Sequence, residues 1–175
     1  MVLVLEATPG SATANTYITL AEADVYLEDT RLHTTTWTAL SDADKNAALA
    51  WATQTLDVSM DWYGYVRTTT QALRFPRSGI YDLDGNTVDY DTIPTILANA
   101  TAELAAELAA GDVLAQPGVL GLGMSRIKVD EIELDVDSQE RREPVSSHIA
   151  LMLAPLGTLY TQARVGGRTV PVVRG

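Results

Sequence analysis

"DTIPTILANATAELAAELAAG", residues 91–111, starts near a proline, ends on a glycine, and is dominated between them by alanine, leucine and glutamate. Pro94 suits the first turn of a helix, where its missing N–H would have no intrahelical partner anyway. Ile93, Ile96, Leu97, Leu104 and Leu108 then recur at helical spacing as an apolar stripe, and Gly111 closes the element. The many alanines permit neighbouring helices to approach closely, so helix-on-helix packing is the expected architecture.

Working outward, the other helices are marked by their caps. In "TLAEADVYLEDTRLH", Thr19 and Glu22 match a capping box, and Leu20, Ala23, Tyr26 and Leu27 follow at helical spacing, predicting a helix from about Leu20 to Arg31. "SDADKNAALAWATQTLDVSM" places Ser41 at an N-cap with Asp42 and Asp44 near the positive end of the dipole. Its buried face is read as Ala48, Trp51, Ala52, Thr55 and Leu56, and its end lies near Met60. A fourth, shorter helix in "SSHIALMLAPLGTLY" is stopped or kinked by Pro155 and Gly157.

Other segments read as strands and turns. "MSRIKVDEIELDVD" alternates Ile127, Val129, Ile132, Leu134 and Val136 with charged positions around Asp130-Glu131, which predicts a β-hairpin over about 124–137. Val2 to Leu5 reads as a short strand, and "DLDGNT" as a turn around Asp84-Gly85. The fold class expected is mainly α: a small bundle of about four helices with an inserted hairpin in residues 1–160, and an extended C-terminal arm over residues 161–175.

Composition narrows the function. A chain of 175 residues that is 46% hydrophobic suffices for one ordinary core. Its formal charge of −11 opposes non-specific attraction to nucleic acid, which depends on cations that neutralise phosphates. Without cysteine there is neither a disulfide framework nor a thiolate metal site, which fits a protein made in the cytoplasm. The N-terminal apolar run is too short to span a bilayer and lacks a basic flank, so no signal peptide or membrane anchor is expected. Charge is also uneven: no acidic side chain follows Glu143, whereas Arg164, Arg168 and Arg174 do.

No catalytic, cofactor or metal constellation emerges. His33 and His148 stand apart, without a second histidine or glutamate at ligand spacing. Ser146, Ser147 and His148 are adjacent on one helix and diverge by about 100° per residue, so capping accounts for the serines better than a nucleophile and its base. "DLDGN" lacks the glutamate that completes a calcium loop. Gly118, Gly121 and Gly123 do not follow a phosphate-loop order. An enzyme is not expected.

Taken in order, "ANTYITLAEADVYL" (14–27), Trp37, "ALAWATQTLD" (48–57), "QALRFPRSGIYDLDG" (71–85), "IPTILANATAELA" (93–105) and "APLG" (154–157) resemble the head-tail adaptors, or connectors, of tailed bacteriophages. Some members of that group carry a DnaT-like single-stranded DNA-binding description. The resemblance implies a helical subunit of the virion neck, forming a homo-oligomeric ring, usually dodecameric, beneath the portal protein. Its other partner is a tail-side neck or tail-terminator protein. The ring passes the genome without binding it specifically during ejection, and no membrane is involved. The alternative is a single-stranded DNA-binding replication protein, for which Trp51, Trp62, Tyr63, Tyr65 and Phe75 would have to supply stacking platforms beside Arg67, Arg74 and Arg77.

Two segments remain to be assigned. "LRFPRSG" reads as a structural clasp, with Arg74, Phe75, Pro76 and Arg77 holding the first two helices and both arginines paired to helix carboxylates. The C-terminal arm has a Gly166-Gly167 hinge and an extended "TVPVV" run. Its Arg164, Arg168, Val170, Val172, Val173 and Arg174 are the expected contacts to the portal or to an adjacent subunit.

Overall fold

The structure is a computed structural model that describes residues 3–32, 34–111, the strands Arg126–Val129 and Ile132–Asp135, and residues 144–160. Helix α1 spans Leu20–Thr30, α2 Thr35–Thr38, α3 Asp42–Ser59, α4 Thr95–Ala110 and α5 Ser147–Leu153. The strands are β1 (Met60–Trp62), β2 (Tyr65–Val66), β3 (Arg77–Ser78), β4 (Arg126–Val129), β5 (Ile132–Asp135) and β6 (Gly157–Leu159). The architecture is mainly α, with three small antiparallel strand pairs among the described residues: β1 with β6, β2 with β3, and β4 with β5. His33, residues 112–125 and the arm at 161–175, including Arg164, Arg168, Val170, Val172, Val173 and Arg174, lie outside the described residues.

Helix α4 is the centre of the molecule and touches α1, α2, α3 and α5. From Ala100 to Ala105 every residue is buried, so the middle of α4 is enclosed on all sides rather than along one stripe. Three of these are alanines with no exposed surface, which lets the surrounding helices close in to short axial distances. Thr101 on α4 and Thr53 on α3 tolerate complete burial because each hydroxyl donates to the carbonyl four residues back, at 2.8 and 2.9 Å. Ile93 and Ile96, read as stripe positions, are only half-buried.

The caps form as the residues dictate. Thr19 and Glu22 make the reciprocal capping box of α1, and the Ser41 hydroxyl accepts from the Asp44 N–H at 3.3 Å at the start of α3. On α3 the buried face differs from the one read from spacing: Leu49, Ala52, Thr53, Thr55 and Leu56 are buried, whereas Trp51 is 40% exposed. A four-residue helix, α2, carries the buried Trp37 and was too short to show a period.

Two further departures have physical causes. Residues 3–8 form no strand, because Asn15 satisfies them instead. Its side-chain Oδ1 accepts from the Glu6 N–H at 2.9 Å, and its Nδ2 donates to the Val4 carbonyl at 2.9 Å. Ser146 does occupy the N-cap position of α5, yet its hydroxyl donates to Glu107 Oε1 at 3.0 Å rather than capping a backbone N–H. The hairpin forms at its expected place, with Ile127 opposite Leu134 and Val129 opposite Ile132. The Asp84-Gly85 turn is also present, with Gly85 at φ 84° and Asp82 accepting from Asn86. No described helix is long and apolar enough to cross a membrane.

The β1–β6 pair stitches the end of α3 to the chain after α5, with Trp62 opposite Gly157. A Cβ at Gly157 would lie 2.8 Å from the Asp61 carbonyl oxygen and 3.1 Å from the Trp62 Cα, both main-chain atoms with little room to move. Around Gly111, by contrast, nothing lies within 4 Å, and its φ of 170° is open to any residue. Gly157→Ala should therefore lower the melting temperature clearly, by about 1–3 kcal/mol of overpacking, while Gly111→Ala leaves it nearly unchanged. Equal melting of the two variants would contradict the pairing.

Candidate functional site

The loop between β2 and β3 carries the aromatic and cationic residues of "QALRFPRSG", and its hydrogen bonds explain why it holds one shape. Gln71 accepts from the Thr68 N–H at 3.0 Å and donates to the Leu73 carbonyl at 2.8 Å. The Ala72 N–H reaches the Ser11 carbonyl at 3.0 Å. The Phe75-Pro76 bond is cis, and both residues are buried. Phe75 meets Trp62 and Tyr17 edge-to-face, with ring centroids 5.0 and 6.2 Å away, the arrangement favoured by aromatic quadrupoles.

Beneath this ring lies a polar contact between α3 and the loop. The Tyr17 hydroxyl donates to Asp57 Oδ1 and accepts from the Phe75 N–H at 3.3 Å. The Arg74 N–H donates to Asp57 Oδ2 at 3.2 Å. Burial raises the Tyr17 phenol well above its ordinary value, helped by the adjacent Asp57 carboxylate. Burial likewise raises Asp57, against the opposing pull of Tyr17, the Arg74 N–H and the two arginines.

The two arginines are not equivalent: both act electrostatically on Asp57 of α3, but neither guanidinium makes one of the close ion pairs found elsewhere in the body. The Arg77 guanidinium donates to main-chain carbonyls: Nε to Tyr63 at 2.6 Å, Nη2 to Gly64 at 2.7 Å and Trp62 at 3.4 Å, and Nη1 to Arg74 at 3.3 Å. It fastens the loop to the strand turn at 62–64. Burial, with Arg74 nearby, lowers its pKa. Arg74 is exposed, and its main chain bonds to Asp57 and to the Arg77 guanidinium. The two side chains border an open cleft of about 490 Å³ with Asp57, Asp61, Trp62 and Tyr160. Two arginines share it with two aspartates, so the cleft is no phosphate cradle.

The three other cations with described side chains are held by carboxylates. Lys45, buried on α3, donates to Asp24 at 2.9 Å, and the same oxygen accepts the Trp37 indole N–H at 2.8 Å. Arg31 pairs with Glu103, a buried carboxylate of α4 that also accepts from Tyr26 at 3.3 Å. Arg67 pairs with Asp91 at 2.7 Å. Of the five residues that stacking would need, Trp62 and Phe75 are buried, while Trp51, Tyr63 and Tyr65 remain exposed. His148 is exposed on α5, and among the described residues no three His, Asp or Glu side chains converge as a metal cage requires. Sequence reasoning missed Tyr17, Asp57 and the Asp24–Lys45–Trp37 contact, since partners 40 and 21 residues apart leave no local signal.

A family model described as "Putative DnaT-like ssDNA binding protein" matches residues 1–175, and the chain belongs to that family. No curated protein and no solved structure matches the chain.

Two outcomes are expected at this loop. Arg77→Ala should cost about 1.5–3 kcal/mol of stability, as for a charge-assisted hydrogen bond, and Arg74→Ala no more than about 0.5 kcal/mol, both read from urea unfolding. Equal losses would contradict the asymmetry. The second concerns Asp57, whose folded-state pKa lies above its unfolded one, so the native chain holds this proton more tightly. Its contribution to stability is therefore full below the ordinary carboxylate value of about 3.9 and is lost as pH rises through the folded-state value. The stability of the parent chain relative to Asp57→Asn should thus increase on acidification. A difference that is flat, or that moves the other way, would contradict the assignment.

Proposed function

We propose, from the sequence resemblance and the charge of the body rather than from the family's description, that this chain is a structural head-tail adaptor of a tailed bacteriophage, a subunit that forms a ring below the portal and lets DNA pass. The observation that carries the reading is the use of the five cations whose side chains are described. Arg31, Lys45 and Arg67 are paired with carboxylates, and Arg77 is bound to main-chain carbonyls. Arg74 is exposed but shares its cleft with Asp57 and Asp61. In a chain of net charge −11, such a body repels a phosphate backbone. Repulsion suits a channel through which a genome slides. It also opposes spontaneous association of free subunits, so the ring is expected to need the portal as a template.

A second reading, single-stranded DNA binding in replication, has the family's own description in its favour. The exposed Trp51, Tyr63 and Tyr65 would be its stacking surfaces. Titration of a labelled thymine-rich oligonucleotide separates the two. The adaptor reading expects binding weaker than about 10⁻⁴ M at physiological salt, the weak end of non-specific affinity. A micromolar or tighter complex, with affinity falling steeply as salt rises and with Trp51→Ala or Tyr65→Ala, would establish the DNA-binding reading in its place. Sedimentation of the purified chain alone should show a monomer, and a stable ring at low concentration would contradict the need for a template.

A further inference from the structure

We infer that residues 161–175 of a neighbouring copy of this chain dock in the trough between α1 and α4. Two adjoining hollows make up this trough, of about 650 and 550 Å³, and they share Glu22, Thr95 and Asn99. The floor of the second is apolar: Ala21 and Val25 of α1 lie open to solvent, and Val25 is 62% exposed. Glu6, Glu22 and Asp29 line the two hollows, and no lysine or arginine does. None of the three ion pairs among the described residues uses any of these carboxylates. An apolar floor bordered only by negative charge calls for a segment that is both apolar and cationic.

The chain itself supplies one. Residues 161–175 read "TQARVGGRTVPVVRG", with valines at 165, 170, 172 and 173, arginines at 164, 168 and 174, and no acidic side chain. Described structure ends at Tyr160, whose N–H is bound to the Ser59 carbonyl at 2.7 Å beside the β1–β6 pair. Fifteen extended residues reach about 50 Å, against a radius of gyration of about 16 Å for a chain of this length. The segment is thus long enough to leave its own body and enter the next. The inference rests on the assembly reading, because docking head-to-tail on a neighbour closes a ring, whereas docking on its own body leaves monomers. It also gives that assembly a source of attraction, since each cationic tail offsets the repulsion between two acidic bodies.

The absence of cysteine from the chain makes a clean test possible. Full-length Val25→Cys is mixed with full-length Val172→Cys under mild oxidation, which traps even transient encounters. Val58→Cys, at a valine 77% exposed but outside the trough, replaces Val25→Cys as the control. Ala21→Cys, in the same trough, serves if Val25→Cys folds poorly. The expected result is a disulfide-linked dimer for the trough variants in excess over the control. It should be lost at about 1 M salt, where the Debye length falls to about 3 Å, and weakened by Asp29→Asn. Equal trapping by Val58→Cys overturns the inference. So does a bridge that forms only within the single chain of a Val25→Cys/Val172→Cys double variant. The readout uses neither portal nor DNA, so the adaptor reading can fail while this contact stands, and the reverse.

Discussion

Everything in this fold leans on the enclosure of α4. A helix can be surrounded by four others only if its surface is low, and Ala100, Ala102 and Ala105 provide that at the level of its middle turns. Dispersion and apolar burial then accumulate over short distances, and Leu97, Leu104 and Leu108 of α4 are all buried in the core. The same enclosure forces one polar concession. Glu103 lies within this buried stretch, and its charge is held by the Tyr26 hydroxyl of α1 and by Arg31 at the C-cap of that helix. Breaking such a buried pair from one side would leave an uncompensated charge, which costs more than the pair contributes.

That arrangement bears directly on function. Where a DNA-binding domain keeps its arginines and lysines on a common face, four of the five cations with described side chains are engaged within this body. Lys45 joins α1, α2 and α3 through Asp24 and the Trp37 indole. Arg77 ties one loop to one strand turn. A cation committed in this way offers little to a phosphate, and the carboxylates left on the surface oppose one. The family's description as single-stranded DNA-binding proteins and the electrostatics of the described cations therefore pull in different directions.

Much of the helical frame was legible beforehand because caps and periodicity are local. Thr19 with Glu22, Ser41 with Asp44, and Gly111 each declare a boundary within a few residues. Interactions over distance were not legible. Nothing in the spacing of Tyr17 and Asp57, or of Met60 and Leu159, announces that they meet. Trp51 was read as buried from its helical position, yet α3 is rotated so that Lys45, Leu49, Ala52 and Leu56 face inward. Buried lysine is the less expected choice, and it is explained only once Asp24 and Trp37 are seen around it. Residues 3–5 form no strand for a related reason: the Asn15 amide satisfies the Val4 carbonyl and the Glu6 N–H that a second strand would have paired. Of the candidate site, the aromatic of the clasp was legible from its sequence neighbours, whereas the role of Arg77 depended on carbonyls of residues 62–64 that fold back onto it.

Electron microscopy of the purified chain mixed with its portal protein tests the central claim most directly. A ring coaxial with the portal, with carboxylate-bearing surface toward the channel, is the result this account predicts. Portal particles left bare, in a mixture where the same chain instead coats added single-stranded DNA, would contradict it.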